Sequence, residues 1–356
     1  MAAGASILPA QPPGDWKLGP FARPDGANPI LASKPDSVFA CPMRGKPVHW
    51  EALHTFNPGA VVRDGKVFVI YRAEDDTGAM QIGMHTSRLG LAWSDDGIHF
   101  TRRPSPVLYP AEDGQKDREW EGGCEDPRVV EGPDGTYVVT YTQWNRKTTD
   151  IGIATSRDLV TWTKHGPAFA GASGGKYLRQ SHKSAGIVVG MNGDRLVAAR
   201  IGGKFWMYWG EGEIHLATST DLIAWRPVED ASGNPVVVLS KRAGHFDSSF
   251  PEVGPPPVLT RDGIVVLYNG KNDAIHGDPD LAAGAYAAGE ALFAANDPSK
   301  LMARTEGPVF RPELPFEKSG QYAAGTTFTE GLVWFKGRFF LYYGCADSLV
   351  GVAETR

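Results

Sequence analysis

The chain has 356 residues, of which 41 are acidic and 36 basic, for a formal net charge of −5. The mild acidity and the lack of a basic run argue against nucleic acid as a partner. Three scattered cysteines (Cys41, Cys124, Cys345) rule out a disulfide framework, and no apolar run reaches membrane-spanning length.

In chain order, Met1 to Pro13 shows no basic n-region and no long apolar h-region. No signal peptide is read there, so a cytoplasmic location is expected, or a periplasmic one if a leader has been removed. Residues 1–27 are taken as an N-terminal extension and 28–356 as one domain. Within that domain a unit recurs five times. Each copy opens on a short apolar strand led by polar residues, at Asn57, Asp126, Lys183, Glu252 and Glu330. A Gly-led aromatic strand follows, starting at Gly65, Gly135, Gly203, Gly263 and Gly337, with spacings of 70, 68, 60 and 74 residues. A third strand ends in a Ser-x-Asp turn and an aromatic: Ala92 to Phe100, Ala154 to Trp162, Ala217 to Trp225. The copies near Tyr286 to Phe293 and Val350 to Ala353 have drifted. Helical periodicity is scarce and is read only as a turn over Asp297 to Met302.

A fourth motif closes most units: Pro106-Val107-Leu108, Pro167-Ala168-Phe169, Pro235-Val236-Val237 and Pro308-Val309-Phe310. The last unit stops short of it, and the missing copy stands at the N-terminus as Pro29-Ile30-Leu31. Short strands repeating at this period predict an all-β, five-bladed β-propeller closed by an N-terminal strand, which would hide a sheet edge. The 43 glycines and 27 prolines suit such a many-turned chain.

A propeller gathers one end of every blade around a single mouth. Leading strand ends would bring Asn57, Asp126, Lys183, Glu252 and Glu330 there. Trailing ends of the second strands would add Arg72, Gln143, Glu211, Asn269 and Asp347. Carboxylates dominate this set, and crowding them in one cleft pushes some carboxyl pKa values upward, as a general acid requires. Trp144 and Trp209 sit at strand ends and offer flat faces for sugar C–H bonds, whereas Phe100, Trp162 and Trp225 recur once per unit and read as core. Arg72 and Arg88 lie beside the acids, and Arg128 is read as orienting Asp126 or Glu125. Two carboxylates about one bond are the usual apparatus of glycoside hydrolysis. Cys124 reads as a small buried residue and His182 as a loop residue. Nine histidines without ligand spacing and no calcium-loop motif give no reason to expect a metal or cofactor.

The segments Trp120 to Arg128, Tyr141 to Arg146, Tyr208-Trp209-Gly210-Glu211, Glu252 to Pro256, Tyr268 to Asn272 and Tyr342 to Ser348, taken together, resemble glycoside hydrolase family 130. The resemblance runs from about Asn28 to the C-terminus. It implies a five-bladed propeller acting on β-mannosides, either as an inverting phosphorylase releasing mannose 1-phosphate or as a hydrolase of β-1,2-linked mannosides. It places the catalytic acid on Asp126, acting through a sugar hydroxyl. It makes Glu211 and Glu252 the pair that holds and activates water, one of them as general base. Asn57, Arg72, Arg88, Gln143, Trp144, Lys183, Trp209, Asn269 and Asp347 are the expected substrate-binding residues. Asn269 stands where the phosphorylases carry a phosphate-holding His, which favours the hydrolytic branch. Inorganic phosphate is a partner only if the chain is a phosphorylase, and a mannoside-binding propeller without catalysis is the remaining alternative.

Overall fold

The computed structural model describes residues 15–355, so the reading of Met1 to Pro13 lies outside the described residues. The described chain is all-β apart from three short helical segments at Lys116–Glu119, Ser173–Arg179 and Pro315–Glu317. Five antiparallel units account for most of it. The first runs His54–Arg63, Lys66–Glu74, Ser87–Ser94 and Thr101–Arg102. The second runs Gly123–Glu131, Tyr137–Trp144, Thr149–Ser156 and Thr163–Pro167. The third runs Ala185–Ile187, Lys204–Trp209, Ile214–Ser219 and Arg226–Pro227. The fourth runs Phe250–Val253, Ile264–Lys271, Tyr286–Ala294 and Asp297–Arg304. The fifth runs Thr327–Phe335, Arg338–Cys345 and Leu349–Thr355, and Phe21–Ala22 adds its outer strand.

Asp297–Arg304 is thus a strand, not a helical turn. Ladder hydrogen bonds to Tyr286–Ala294 decide the outcome over a weak local preference. The N-terminal closure is found at two points. Leu31 bridges Val350, as Leu108 bridges Leu89 and Phe310 bridges Ala288. Phe21 and Ala22 pair with Thr355 and Glu354, so residues counted with the N-terminal extension belong to the last sheet.

Each leading strand touches the next. A Cβ at Gly59 would sit 2.5 Å from the Pro127 carbonyl oxygen, and one at Gly186 would sit 2.8 Å from Pro257. Thr140 Oγ1 donates to Ala185 O at 2.6 Å, and Asn269 Nδ2 to Thr329 O at 3.0 Å. A Cβ at Gly331 would lie 2.6 Å from the Pro58 carbonyl oxygen, which joins the fifth unit to the first.

Four units carry the same buried clamp, in which a carboxylate ahead of the leading strand accepts from a tyrosine of the second strand and pairs with a cation of the outer strand. In the first, Glu51 takes Tyr71 at 3.0 Å and Arg102 at 2.9 Å. In the second, Glu119 takes Tyr141 at 2.7 Å and Lys164 at 2.5 Å. In the fourth, Asp247 takes Tyr268 at 2.8 Å and Arg304 at 2.6 Å. In the fifth, Glu317 takes Tyr343 at 2.8 Å and Arg23, just past the N-terminal strand, at 2.6 Å. Each tyrosine lies against a glycine of the third strand (Gly90, Gly152, Gly289, Gly351), where a Cβ would come within 2.4, 2.7, 2.7 and 2.4 Å of it. The third unit breaks every element of this rule. Trp209 replaces the tyrosine, His215 the glycine opposite it, and Pro227 the cation. An aromatic box of Phe169, Tyr177, His182 and His215 around Trp209 takes the place of the clamp.

Candidate active site

The leading strands do not begin regularly. Asn57, Asp126 and Ser184 have left-handed backbones, with φ of 45°, 47° and 57°. The ladders slip beside the first two, between Phe56 and Pro58 and between Glu125 and Arg128. Non-glycine residues rarely adopt such φ values, and a bulge of this kind re-aims a side chain at the end of a sheet. Asp347, at φ 50°, is turned in the same way after the second strand of the fifth unit.

These ends enclose a cavity of about 190 Å³. Asn57, Arg72, Asp126, Trp144, Lys183, Glu211, Glu252 and Asp347 line it, eight of the twelve residues expected from sequence. A larger groove of about 700 Å³ runs past Asp134, Arg157 and Asp221 between the second and third units, but it holds none of the expected residues. The smaller cavity is therefore the candidate site.

Two cations organise the acids. Arg72 reaches Glu74 at 2.7 Å, Glu125 at 2.8 Å and Asp126 at 3.1 Å, and its Nε donates to Ser87 at 3.0 Å. Lys183 lies 3.3 Å from Glu211 and 3.4 Å from Glu252. Backbone pairing places those two glutamates opposite each other, and Ser184 donates to Glu252 at 2.5 Å. Glu252 is buried, whereas Glu211 is exposed at the mouth. Arg128 does not enter the cavity. It donates to the backbone carbonyls of Asp126, Val253 and Gly254 and pairs with the buried Glu330 at 2.6 Å, which fixes the bulge that carries Asp126.

The acids titrate far apart. Burial raises the Asp126 carboxyl, but Arg72, Lys183 and Arg128 together with the amide of Asn57 (2.9 Å) reverse this and hold it at about 2. Burial lifts Glu125 to about 7, with Arg72 opposing and the charges of Asp126 and Glu74 adding to it. Asp347 is lifted to about 7 by burial against the pull of Arg72, again helped by Asp126 and Glu74. Burial also raises Glu252, against Lys183 and with Glu211. Lys183 is held well above the usual lysine range, because Glu252, Glu211 and Asp126 outweigh its desolvation. The cavity thus holds an ionised aspartate beside groups that keep a proton near neutral pH.

Four expected residues lie outside the cavity wall. Arg88 is buried on Asp75 at 2.8 Å. Gln143 donates to Glu119 at 3.1 Å in the clamp of the second unit. Trp209 sits in the aromatic box of the third. The Asn269 amide is taken at both ends by Thr329, whose N–H and hydroxyl donate to it at 2.8 and 2.9 Å and whose carbonyl accepts from it. Each belongs to a strand end, but its side chain leaves on the other face or is tied to a neighbouring strand. Glu74, Glu125, Tyr286, Gln321 and Tyr322 line the cavity without having been expected there. Glu74 was legible, since it stands two residues after Arg72 on one strand and so on the same face. Glu125 required the bulge, which turns two successive acids to one side. Gln321 and Tyr322 come from a loop that repeats nothing.

A carboxylate-lined cavity at the strand ends of an all-β fold fits a carbohydrate-active enzyme, and comparison with known proteins gives the family. The chain belongs to glycoside hydrolase family 130: residues 27–356 match the family model described as beta-1,4-mannooligosaccharide phosphorylase. The 1,2-beta-oligomannan phosphorylase of Thermoanaerobacter sp. (strain X514) is 31% identical over 308 residues, which cover 85% of this chain and 90% of that protein. A glycosyl hydrolase from Bacteroides ovatus is 48% identical with a TM-score of 0.94, over 98% of this chain and 96% of that one. A further solved structure, 51% identical with a TM-score of 0.94 over 99% and 96% of the two chains, is described with the statement that the GH130 family of mannoside phosphorylases contains glycoside hydrolases that target beta-1,2 mannosidic linkages in Candida mannan. The protein is accordingly an enzyme of a mannoside-acting family.

Proposed function

We propose that the protein is an inverting glycoside hydrolase that releases mannose from β-1,2-linked mannosides on a five-bladed β-propeller. The observation that carries this reading is the pair Glu211 and Glu252, held across one ammonium, that of Lys183. Two carboxylates beside a single cation repel a phosphate dianion but hold and deprotonate water. Asn269 adds nothing here, because its amide is tied to Thr329. The relatives near 50% identity described as hydrolases point the same way. The cyclic contacts of the five units support the propeller.

In this reading the mannose lies between Asp126 on one side and the glutamate pair on the other. Glu252 or Glu211 takes a proton from water as it attacks the anomeric carbon. Asp126 passes a proton to the leaving oxygen through a sugar hydroxyl. Asp126 is ionised in the empty cavity, so that proton is drawn from the cluster it forms with Glu125 and Asp347, and the acid titrates as a group. Asp126 is left anionic beside Arg72 when it gives up the proton. The cycle closes when the glutamate releases to solvent the proton it took from water and the cluster of Glu125 and Asp347 takes one up.

Phosphorolysis is the second reading. It is favoured by Lys183 and by the phosphorylase from Thermoanaerobacter. Turnover of β-1,2-mannobiose over a range of phosphate concentrations separates the two. A rate of mannose release independent of phosphate supports hydrolysis, whereas a rate that needs phosphate supports phosphorolysis.

A further inference from the structure

Tyr286 opens the third strand of the fourth unit and lines the catalytic cavity. Its hydroxyl has no hydrogen-bond partner among the described residues, although the residue is only 7% exposed. Seven of the eight other buried tyrosines differ, Tyr137 being the exception. Tyr71, Tyr141, Tyr177, Tyr208, Tyr268, Tyr342 and Tyr343 all donate within the protein. The Tyr286 hydroxyl is not among the fully buried polar atoms that lack a partner, so it opens on the cavity it lines and is free to donate to a ligand there.

The ring is held from three sides. Phe250, Tyr322 and Phe328 meet it edge-on, with centroids 6.0, 5.8 and 6.0 Å away. Behind it, Lys271 Nζ lies 5.3 Å from the Tyr286 ring, 5.5 Å from Phe250 and 5.8 Å from Tyr322. Lys271 makes no ion pair among the described residues, so its charge is held by ring faces rather than by a carboxylate. Tyr322 and Phe328 also line the cavity. The ammonium therefore braces two tyrosines of the cavity wall, Tyr286 and Tyr322. Tyr286 pairs with Lys271, and Lys271 pairs with Phe250, two residues before Glu252 on the leading strand, which places the tyrosine on the side of the glutamate pair.

We infer that the Tyr286 hydroxyl donates a hydrogen bond to the mannose bound beside Glu252, and that Lys271 is the positioning residue that fixes the tyrosine for this contact. Burial pushes the phenol well above its ordinary range, so it remains an O–H donor at every working pH. A donor here can hold a ring hydroxyl next to the attacking water without competing for the proton that the glutamates take. The inference rests on the cavity being the mannoside site.

The test uses kcat and KM for sugar release from β-1,2-mannobiose, together with thermal midpoints. Tyr286→Phe keeps the ring and its contacts with Lys271. It is expected to lower kcat/KM about tenfold with an unchanged midpoint, the loss produced by removing one neutral hydrogen bond to substrate. Lys271→Met should lower kcat/KM through KM, and Lys271→Arg should restore it, since a guanidinium also sits over aromatic faces. Tyr286→Phe within twofold of the parent overturns the contact. Lys271→Met at parental KM, or Lys271→Arg as impaired as the methionine variant, overturns the positioning role. A parent enzyme that turns over no β-mannoside overturns the reading of the cavity itself, a result distinct from failure at Tyr286 alone.

Discussion

Arg23 donates to Glu317 at 2.6 and 2.9 Å across 294 positions of sequence, and the same carboxylate accepts from Tyr343 at 2.8 Å. This is the clamp of the first, second and fourth units, rebuilt in the fifth from a residue at the opposite end of the chain. The N-terminal segment therefore supplies both a strand and the cation of the last unit. Arg23→Met leaves a fully buried carboxylate without its cation. It should cost about 3–5 kcal/mol of stability in urea unfolding, as expected for a broken buried pair. A loss below about 1 kcal/mol, the range of exposed pairs, would show that the clamp does not hold the closure.

Asp126→Asn should lower the rate by about 10²–10⁴-fold without disturbing the fold, because an amide cannot relay a proton to the leaving oxygen. In the proposed mechanism the proton comes from a cluster in which burial lifts Glu125 and Asp347 to about 7. The working form is the protonated one, so kcat/KM should fall as pH rises through that value. A variant within threefold of the parent, or a parental profile flat to about pH 9, counts against this acid.

Glu211→Gln and Glu252→Gln should each reduce turnover sharply. The double variant should be little worse than the poorer single one, since groups that grip one water act as a unit. Losses that multiply in the double variant would mean the two glutamates serve different steps.

Glu290 tests burial rather than catalysis. Its carboxyl is fully buried, accepts from Leu18 N at 3.1 Å, and leaves Oε2 without a partner among the described residues. Burial lifts it to about 8, only partly opposed by the Leu18 and Gly19 backbone, against an ordinary value of 4.5. Between those values the native state holds a proton that the unfolded chain has released, so this group makes stability fall as pH rises across the window. Glu290→Gln carries no charge to bury and should flatten the slope between about pH 4.5 and about pH 8 in urea titrations. An undiminished slope would assign the pH dependence to other groups.

The repeat was readable because each strand pair repeats a Gly-led start and an aromatic, and Leu31 was placed correctly by its absent counterpart at the C-terminus. Arg23 was not readable. Its partner Glu317 precedes the leading strand at a spacing that varies from unit to unit, so no fixed pattern links them. At the site, residues turned inward by bulges (Asn57, Asp126) were found from their position at strand starts, because every unit marks that position with a polar residue. Strand ends alone did not tell which face a side chain leaves by, and Gln143 and Asn269 were misplaced for that reason. Asn269 is drawn to Thr329 of the next unit, a contact that exists only once the strands are side by side. Tyr286 stayed hidden because its strand looked like a drifted copy rather than a cavity wall.

The central claim is that water, activated by Glu211 and Glu252, attacks a β-mannoside from the face opposite its leaving group. The direct measurement is time-resolved proton NMR of β-1,2-mannobiose turnover in phosphate buffer. The account predicts free α-mannose as the first new sugar signal, with the β anomer growing in only through mutarotation. Accumulation of mannose 1-phosphate, or β-mannose appearing first, would contradict it.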